Sequence, residues 1–288
     1  METTEQKERF VWQPVTPRGV ASFARAKLGR LLVVQFVVAL LAASVLIWVL
    51  NHSWFPVITR AIQSLPAEGS ITGGTLEWTN ESPKLLAEGR FLALTVDLNH
   101  TGKARSPAHF LVEFGSSDYR IFSIFGMYER RYPAGWSLEF NRPELTPAWG
   151  AWAPPILALA ALAVIASLLV VWAMLAWIYF LPVWLVGFFA NRDLSLRGSW
   201  RLAGAALMPG ALFMTGAVLL YGVGTLDLVH LLAAAGVHLV IGWIYLVAGP
   251  LGAPSHPAMT GLDTNPFKPA PAPETKPAEN PPPGANGP

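Results

Sequence analysis

Cysteine is absent from the 288 residues, and charged residues make up only 13% of them. The first absence excludes disulfides, thiolate metal sites and a cysteine nucleophile. The second is about half the charged share of a soluble globular chain. The two signs nearly balance, at 20 Lys+Arg against 18 Asp+Glu, so no nucleic-acid partner is indicated. The chain also lacks H-E-x-x-H, G-x-S-x-G and P-loop patterns. No enzyme activity, metal or cofactor is therefore expected. What the chain has is apolar residues, 53% of the total, and twelve tryptophans.

The apolar residues are gathered into runs. Crossing a hydrocarbon core takes about 20 mainly apolar residues in a helix. Four stretches qualify: 31–50, 154–181, 202–221 and 226–248. The first, "LLVVQFVVALLAASVLIWVL", is too long for the core of a signal peptide and reads as an uncleaved anchor. Pro154-Pro155 marks the expected start of the second span, and Pro182 its kink or end. Residues 182–201 then read as an interfacial and cytoplasmic loop, in which "VWLVGFFA" is long enough for an interfacial helix but not for another span. The third span holds Pro209-Gly210, and only "GVGTLD" separates it from the fourth, which predicts a tight helical hairpin.

Short basic flanks set orientation. The N-terminal segment, 1–30, carries Lys7, Arg9, Arg18, Arg25, Lys27 and Arg30; "NRDLSLRGSWR" carries Arg192, Arg197 and Arg201. The hairpin turn has no basic residue. Both termini are therefore expected in the cytoplasm, with residues 51–153 outside and the chain in the inner membrane of a bacterium. The tryptophans agree: Trp48, Trp54, Trp149 and Trp152 fall at the outer boundary, and Trp172, Trp177, Trp184, Trp200 and Trp243 towards the inner one. Such belts form where an amphipathic ring meets headgroups.

Residues 51–153 are enough for a small domain. "FPVITRAIQSLP" continues the first span as an amphipathic helix that Pro66 stops. After it the period changes to two. "SITGGTLEWT", "GRFLALTVDLN", "AHFLVEFG", "DYRIFSIFG" and "GWSLEFN" read as short strands in an antiparallel meander. Nine basic residues meet ten acidic ones here, so no strong steering field follows. Tyr128, Tyr132 and Trp136 either fill a small core or face lipid headgroups, or they stack on a sugar or meet a partner. The fold class is an α-helical integral membrane protein: four transmembrane helices with a small antiparallel β-rich extracytoplasmic domain between helices 1 and 2.

The layout, with "SLPAEGSITGGTLEW" and "FLALTVDLNHTGKA", resembles a family of bacterial multi-pass membrane proteins, some of them labelled maltodextrin-utilisation proteins. In that family an "LP…I..G.L" phrase precedes a "VDT.GK"-like one. This chain has Leu65-Pro66, Ile71, Gly74, Leu76, then Val96-Asp97 and Gly102-Lys103. It departs at Leu98, where the family has threonine, with "NH" inserted before Thr101. The resemblance implies the fold and location above, and the label points to carbohydrate.

Candidate functional residues lie in the fourth span. At 100° per residue, Asp227 and His238 fall within about 20° of each other and His230 within about 80° of His238. An ionisable residue at mid-membrane is costly and faces protein or water, so His238 is the first candidate, with His230 and Asp227 as an outer relay. The alternative is packing: a neutral histidine bonded to a backbone carbonyl or a neighbouring serine. Pro209 either opens a polar notch or merely kinks its helix. No carboxylate lies mid-membrane. Small residues at Ala158, Ala160, Ala161, Ala163, Ala166 and Ser167, and at Gly236 and Gly242, are expected to pack helices, within the subunit or between subunits. The tail, 249–288, holds ten prolines after Ser255 and reads as a disordered cytoplasmic spacer or docking peptide.

These features favour a non-enzymatic accessory or scaffold subunit that presents its outer domain. The partners expected are membrane lipid and either a membrane protein or further copies of itself. An oligomeric transport component for carbohydrate is the alternative, and a membrane enzyme with paired outer carboxylates such as Glu77, Glu81, Glu88, Asp97 and Glu113 is the weaker one. A dry interior around His238 and Pro209 favours the scaffold; a water-reached path favours transport.

Overall fold

The computed structural model describes residues 14–255. Lys7, Arg9 and the proline-rich segment beyond Ser255 lie outside the described residues. Four helical stretches are long and apolar enough to cross a membrane: Leu28–Gln63, Arg142–Phe189, Leu196–Gly222 and Leu228–Leu251. A domain of two β-sheets is inserted between the first and the second.

The first stretch is compound. After the short α1 (Pro17–Ser22), α2 (Leu28–Val49) passes through one π turn, Leu50–Trp54, into α3 (Phe55–Gln63). The wide turn precedes Pro56, whose ring and missing N–H disfavour a regular helix just upstream. α3 lays Val57 and Ala61 on the outer domain.

The second stretch departs from expectation at both ends. A single helix, α4 (Arg142–Phe189), contains Pro147, Pro154, Pro155 and Pro182. Its start is set by Asn141, whose side-chain oxygen accepts the Glu144 N–H at 3.0 Å. Asn141, Pro143 and Glu144 stand where a cap, a first-turn proline and a capping glutamate belong. Pro182 does not end the helix. A proline costs one intrahelical bond, whereas leaving the helix in apolar surroundings strands several polar backbone groups. At 1.5 Å per residue α4 is about 72 Å long, so it reaches from the domain through the whole bundle.

The segment read as a loop, 182–201, is thus largely helical. Only residues 190–195 separate α4 from α5 (Leu196–Ala206). The third span is broken at Leu207, where α6 (Met208–Gly222) begins with Pro209 in its first turn. α7 (Leu228–Leu251) follows, capped by Asp227.

α5 is the centre of the bundle. Leu202, Ala203, Ala205 and Ala206 are fully buried with Val20, Phe23 and Leu31. The alanines of α4 expected to pack helices within or between subunits are mostly exposed in the single chain, and the tight small-residue contact within it is made by "LAGAA" of α5. Gly242 is buried and Gly236 exposed. Arg25 pairs with Asp193 at 2.9 Å, and Arg192 donates to the Ala253 carbonyl at 3.0 Å, tying together the ends of the bundle that lie away from the β domain.

The β domain corrects the expected meander. Its first sheet, antiparallel, has the order β2 (Thr75–Trp78), β1 (Gly69–Thr72), β8 (Ser137–Leu138). The second has five strands in sequence order: β3 (Lys84–Glu88), β4 (Leu92–Val96), β5 (Phe110–Phe114), β6 (Asp118–Ser123) and β7 (Gly126–Arg131). β4 and β5 run parallel, Leu92 facing Phe110 and Val96 facing Phe114. A parallel pair needs a long return path, which residues 97–109 supply. β4 is buried on both faces, as a central strand requires. Val57, Ala61 and Leu65 of the first stretch close the core over Ile71, Leu76, Leu86, Val96 and Phe140.

Candidate functional site

The residues singled out on the fourth span do not converge. Asp227 ends its own turn as the α7 cap, accepting the His230 backbone N–H and its Nδ1–H, each at 2.8 Å. Both side chains are exposed. His238 lies two turns further along, about 12 Å up the axis. Its Nδ1–H donates to the Ala235 carbonyl at 2.8 Å, within its own helix. The ring borders a cavity of about 90 Å³ lined by Trp172, Tyr179, Leu207, Gly242 and Trp243.

Pro209 sits in the first turn of α6 at the break, not inside a continuous helix. Next to it, Gly210 meets the α7 backbone: a Cβ there would lie 2.7 Å from the His238 carbonyl oxygen. Gln35, 4% exposed, reaches the Gly204 carbonyl at 3.5 Å, near the α5 end that proline leaves without a following N–H. The neighbourhood of His238 and Pro209 is therefore close helix packing with one small cavity.

Among the described residues, the densest polar group lies in the β domain. His100, in the β4–β5 connection, holds φ at +52°. Its Nδ1 contacts Glu113 Oε1 at 2.5 Å and its Nε2 contacts Asp118 Oδ1 at 3.0 Å. Arg120 donates to Glu129 at 2.9 Å and stands 3.5 Å from the second Asp118 oxygen. Gly115 makes room for the ring, since a Cβ there would lie 2.5 Å from it. Burial pushes His100 down, but the bonds to Glu113 and Asp118 outweigh it, and its pKa is raised. Both ring nitrogens donate only in the imidazolium form, which is the form two carboxylates favour.

Asp97 stands at the start of the same connection and is fully buried. Burial raises its pKa, and the bonds from Thr101 and Gly102, each 2.9 Å, outweigh this and lower it. Its other oxygen has no hydrogen-bond partner. The "VDLNHTGK" phrase thus builds a closed loop whose aspartate caps backbone and whose histidine pins β5 to β6. Of the outer carboxylates noted in the sequence, Glu113 joins this cluster, while Glu77 takes Ser70 and Glu88 takes Ser106. Tyr132 is buried and donates to the Gly115 carbonyl at 3.1 Å; burial pushes its pKa well up. Tyr128 and Trp136 are exposed.

Sequence reasoning missed His100, Asp118 and Arg120. The available signal was Glu113, which shares the inward side of "FLVEF" with Leu111 and so demands a buried cation.

A second missed feature joins the domain to the helices. Arg90 donates to the Leu226 carbonyl at 2.6 Å, in the turn between α6 and α7. Its guanidinium lies 5.3 Å from the Phe91 ring and 5.7 Å from the Tyr221 ring. His109 hydrogen-bonds the Tyr221 hydroxyl and stacks on its ring, 5.7 Å between centroids at 16°. Burial and the nearby Arg90 charge lower the His109 pKa, keeping the ring neutral. Beside it an open groove of about 580 Å³ is lined by Arg105, Glu113, Phe122 and Ile124.

Comparison with family models, with curated proteins and with solved structures gives no match.

Proposed function

We propose that this chain is a four-span protein of a bacterial inner membrane, both termini cytoplasmic, acting as a non-enzymatic accessory scaffold. It holds its outer domain at a fixed height and angle for a membrane partner or a further copy of itself. The observation that carries this reading is the junction of Arg90, Phe91 and His109 with Tyr221 and Leu226. A domain tethered only by its two chain connections swings; one clamped as well to α6 and to the turn after it is presented. The cluster around His100 supports the same reading, because its polar groups are engaged with one another. Seven basic residues against the single Asp193 in segments 14–30 and 190–201 support an inner location for that end.

The experiment is mild-detergent purification of the tagged full chain, with cross-linking and mass spectrometry. The scaffold reading expects a stoichiometric membrane partner or a defined homo-oligomer cross-linked through the outer domain. A monodisperse monomer with no cross-linked partner contradicts it.

The cavity beside His238 favours a second reading, an oligomeric transport component, with carbohydrate as cargo by resemblance only. Loss of uptake in His238→Ala, with the protein still inserted, is the result that reading requires.

A further inference from the structure

Strand register locates the membrane-side rim of the five-stranded sheet at four points. Gly89, after β3, abuts the first helical stretch: a Cβ there would lie 2.7 Å from Val57 and 3.9 Å from the Ser53 carbonyl oxygen. Arg90 and Phe91, before β4, meet Leu226 and Tyr221. His109, before β5, stacks on Tyr221, and Phe110 meets the Trp54 ring at 5.4 Å. The fourth point is the turn between β6 and β7. Leu111 faces Phe122, so His109 is level with Ile124; Ser123 then faces Gly126 across the turn.

The first point abuts the flank of the first helical stretch, and the second and third rest on the top of α6 and the turn after it. The fourth lies one to two strand spacings further out, about 5–10 Å. There Ile124 is 53% and Phe125 85% exposed. Solvent-facing turns normally carry Gly, Asn, Asp, Ser or Pro. Here the turn is Ser-Ile-Phe-Gly, inside "IFSIFGMY", eight residues without a charge. Met127 and Tyr128, both exposed, extend the apolar surface. Tyr221 is one residue from the end of α6, so the rim stands at the level where the apolar span gives out.

We propose that the Ile124-Phe125 turn inserts into the outer leaflet, at the boundary between headgroups and acyl chains. The inference rests on the four-span reading. An uncharged apolar tip enters that boundary without desolvating an ion, and a phenyl ring is well placed there. The turn is then a third support for the domain, beside its helix connections and the Arg90–His109 clamp.

The absence of cysteine permits a clean test. Single cysteines replace Phe125, Arg131 and Val170 in the full chain. Arg131 lies at the far end of β7, about 20 Å from the tip at 3.4 Å per residue. Val170 is an exposed residue within α4. Each variant is labelled with a polarity-sensitive fluorophore and reconstituted in phosphatidylcholine vesicles carrying a nitroxide high on the acyl chain. The label of Phe125→Cys is expected to emit blue-shifted light and to be quenched severalfold more strongly than that of Arg131→Cys. Equal, water-like emission at both positions, with the Val170→Cys label protected from water, overturns the inference. If the Val170→Cys label is itself in water, the four-span reading fails first.

Discussion

The imidazole of His109 lies 5.7 Å from the ring of Tyr221, nearly parallel to it, and bonds to its hydroxyl. These residues are 112 apart in sequence, one at the foot of a β-strand and the other at the top of a helix. That contact turns an inserted domain into a clamped one, and its consequences can be measured.

Arg90→Ala removes the bond to the Leu226 carbonyl and the cation over two rings. Such contacts contribute about 0.5–1.5 kcal/mol each, so the domain is expected to stay folded while its clamp loosens. Hydrogen exchange should quicken at 222–227 and 89–91 and stay unchanged in β4. Uniform quickening across the domain would show that Arg90 supports the fold rather than the junction.

Two histidines give opposite pH dependences. His100 has a raised pKa in the fold, so its contribution is complete below the unfolded value near 6.5 and is lost as pH rises through the higher folded value. His109 has a lowered pKa, so its contribution is present above the unfolded value and is lost as pH falls. His100→Asn, which keeps the left-handed backbone at φ +52°, should abolish the loss of thermal stability on the alkaline side alone. A profile unchanged by that substitution would remove His100 from the account.

Gly210 and His238 offer a contrast. Gly210→Ala drives a methyl into the His238 carbonyl, and overpacking of this kind costs about 1–3 kcal/mol. His238→Gln removes a bond to a carbonyl within the same helix and is expected to cost less than Gly210→Ala in detergent melts. The reverse order would mean that the His238 side chain, not the helix approach, organises the hairpin.

Asn141 fixes the start of the longest helix and also donates to the Gly69 carbonyl at 3.3 Å. Asn141→Ala is expected to lower stability by about 0.5–2 kcal/mol and to make residues 142–152 susceptible to protease. Protection of that segment in the variant would show that packing, not the cap, holds the helix start.

The apolar runs were legible from length alone, and the strand period was legible in β1, β2, β4, β5 and β6, but not in β3 or in β7, whose "GMYERR" is exposed throughout and shows no apolar alternation. The Asn141 cap was equally present as Asn-Arg-Pro-Glu, but the apolar run beyond it drew the boundary to Pro154. The parallel β4–β5 pair was not legible, since pairing order depends on where residues 97–109 travel. Nor was the His100 cluster, whose members come from three segments, although the inward Glu113 called for a cation. The fourth-span histidines show the converse: a shared helical face does not make a shared site when one residue is a cap and another is two turns away.

The central claim is that the β domain and the basic end of the bundle lie on opposite sides of one membrane. Single cysteines in place of Arg131 and Arg197, tested in sealed right-side-out vesicles with a membrane-impermeant maleimide, address it directly. The account predicts that the Arg131→Cys protein is labelled at once and the Arg197→Cys protein only after permeabilisation. Equal labelling of both before permeabilisation would contradict it.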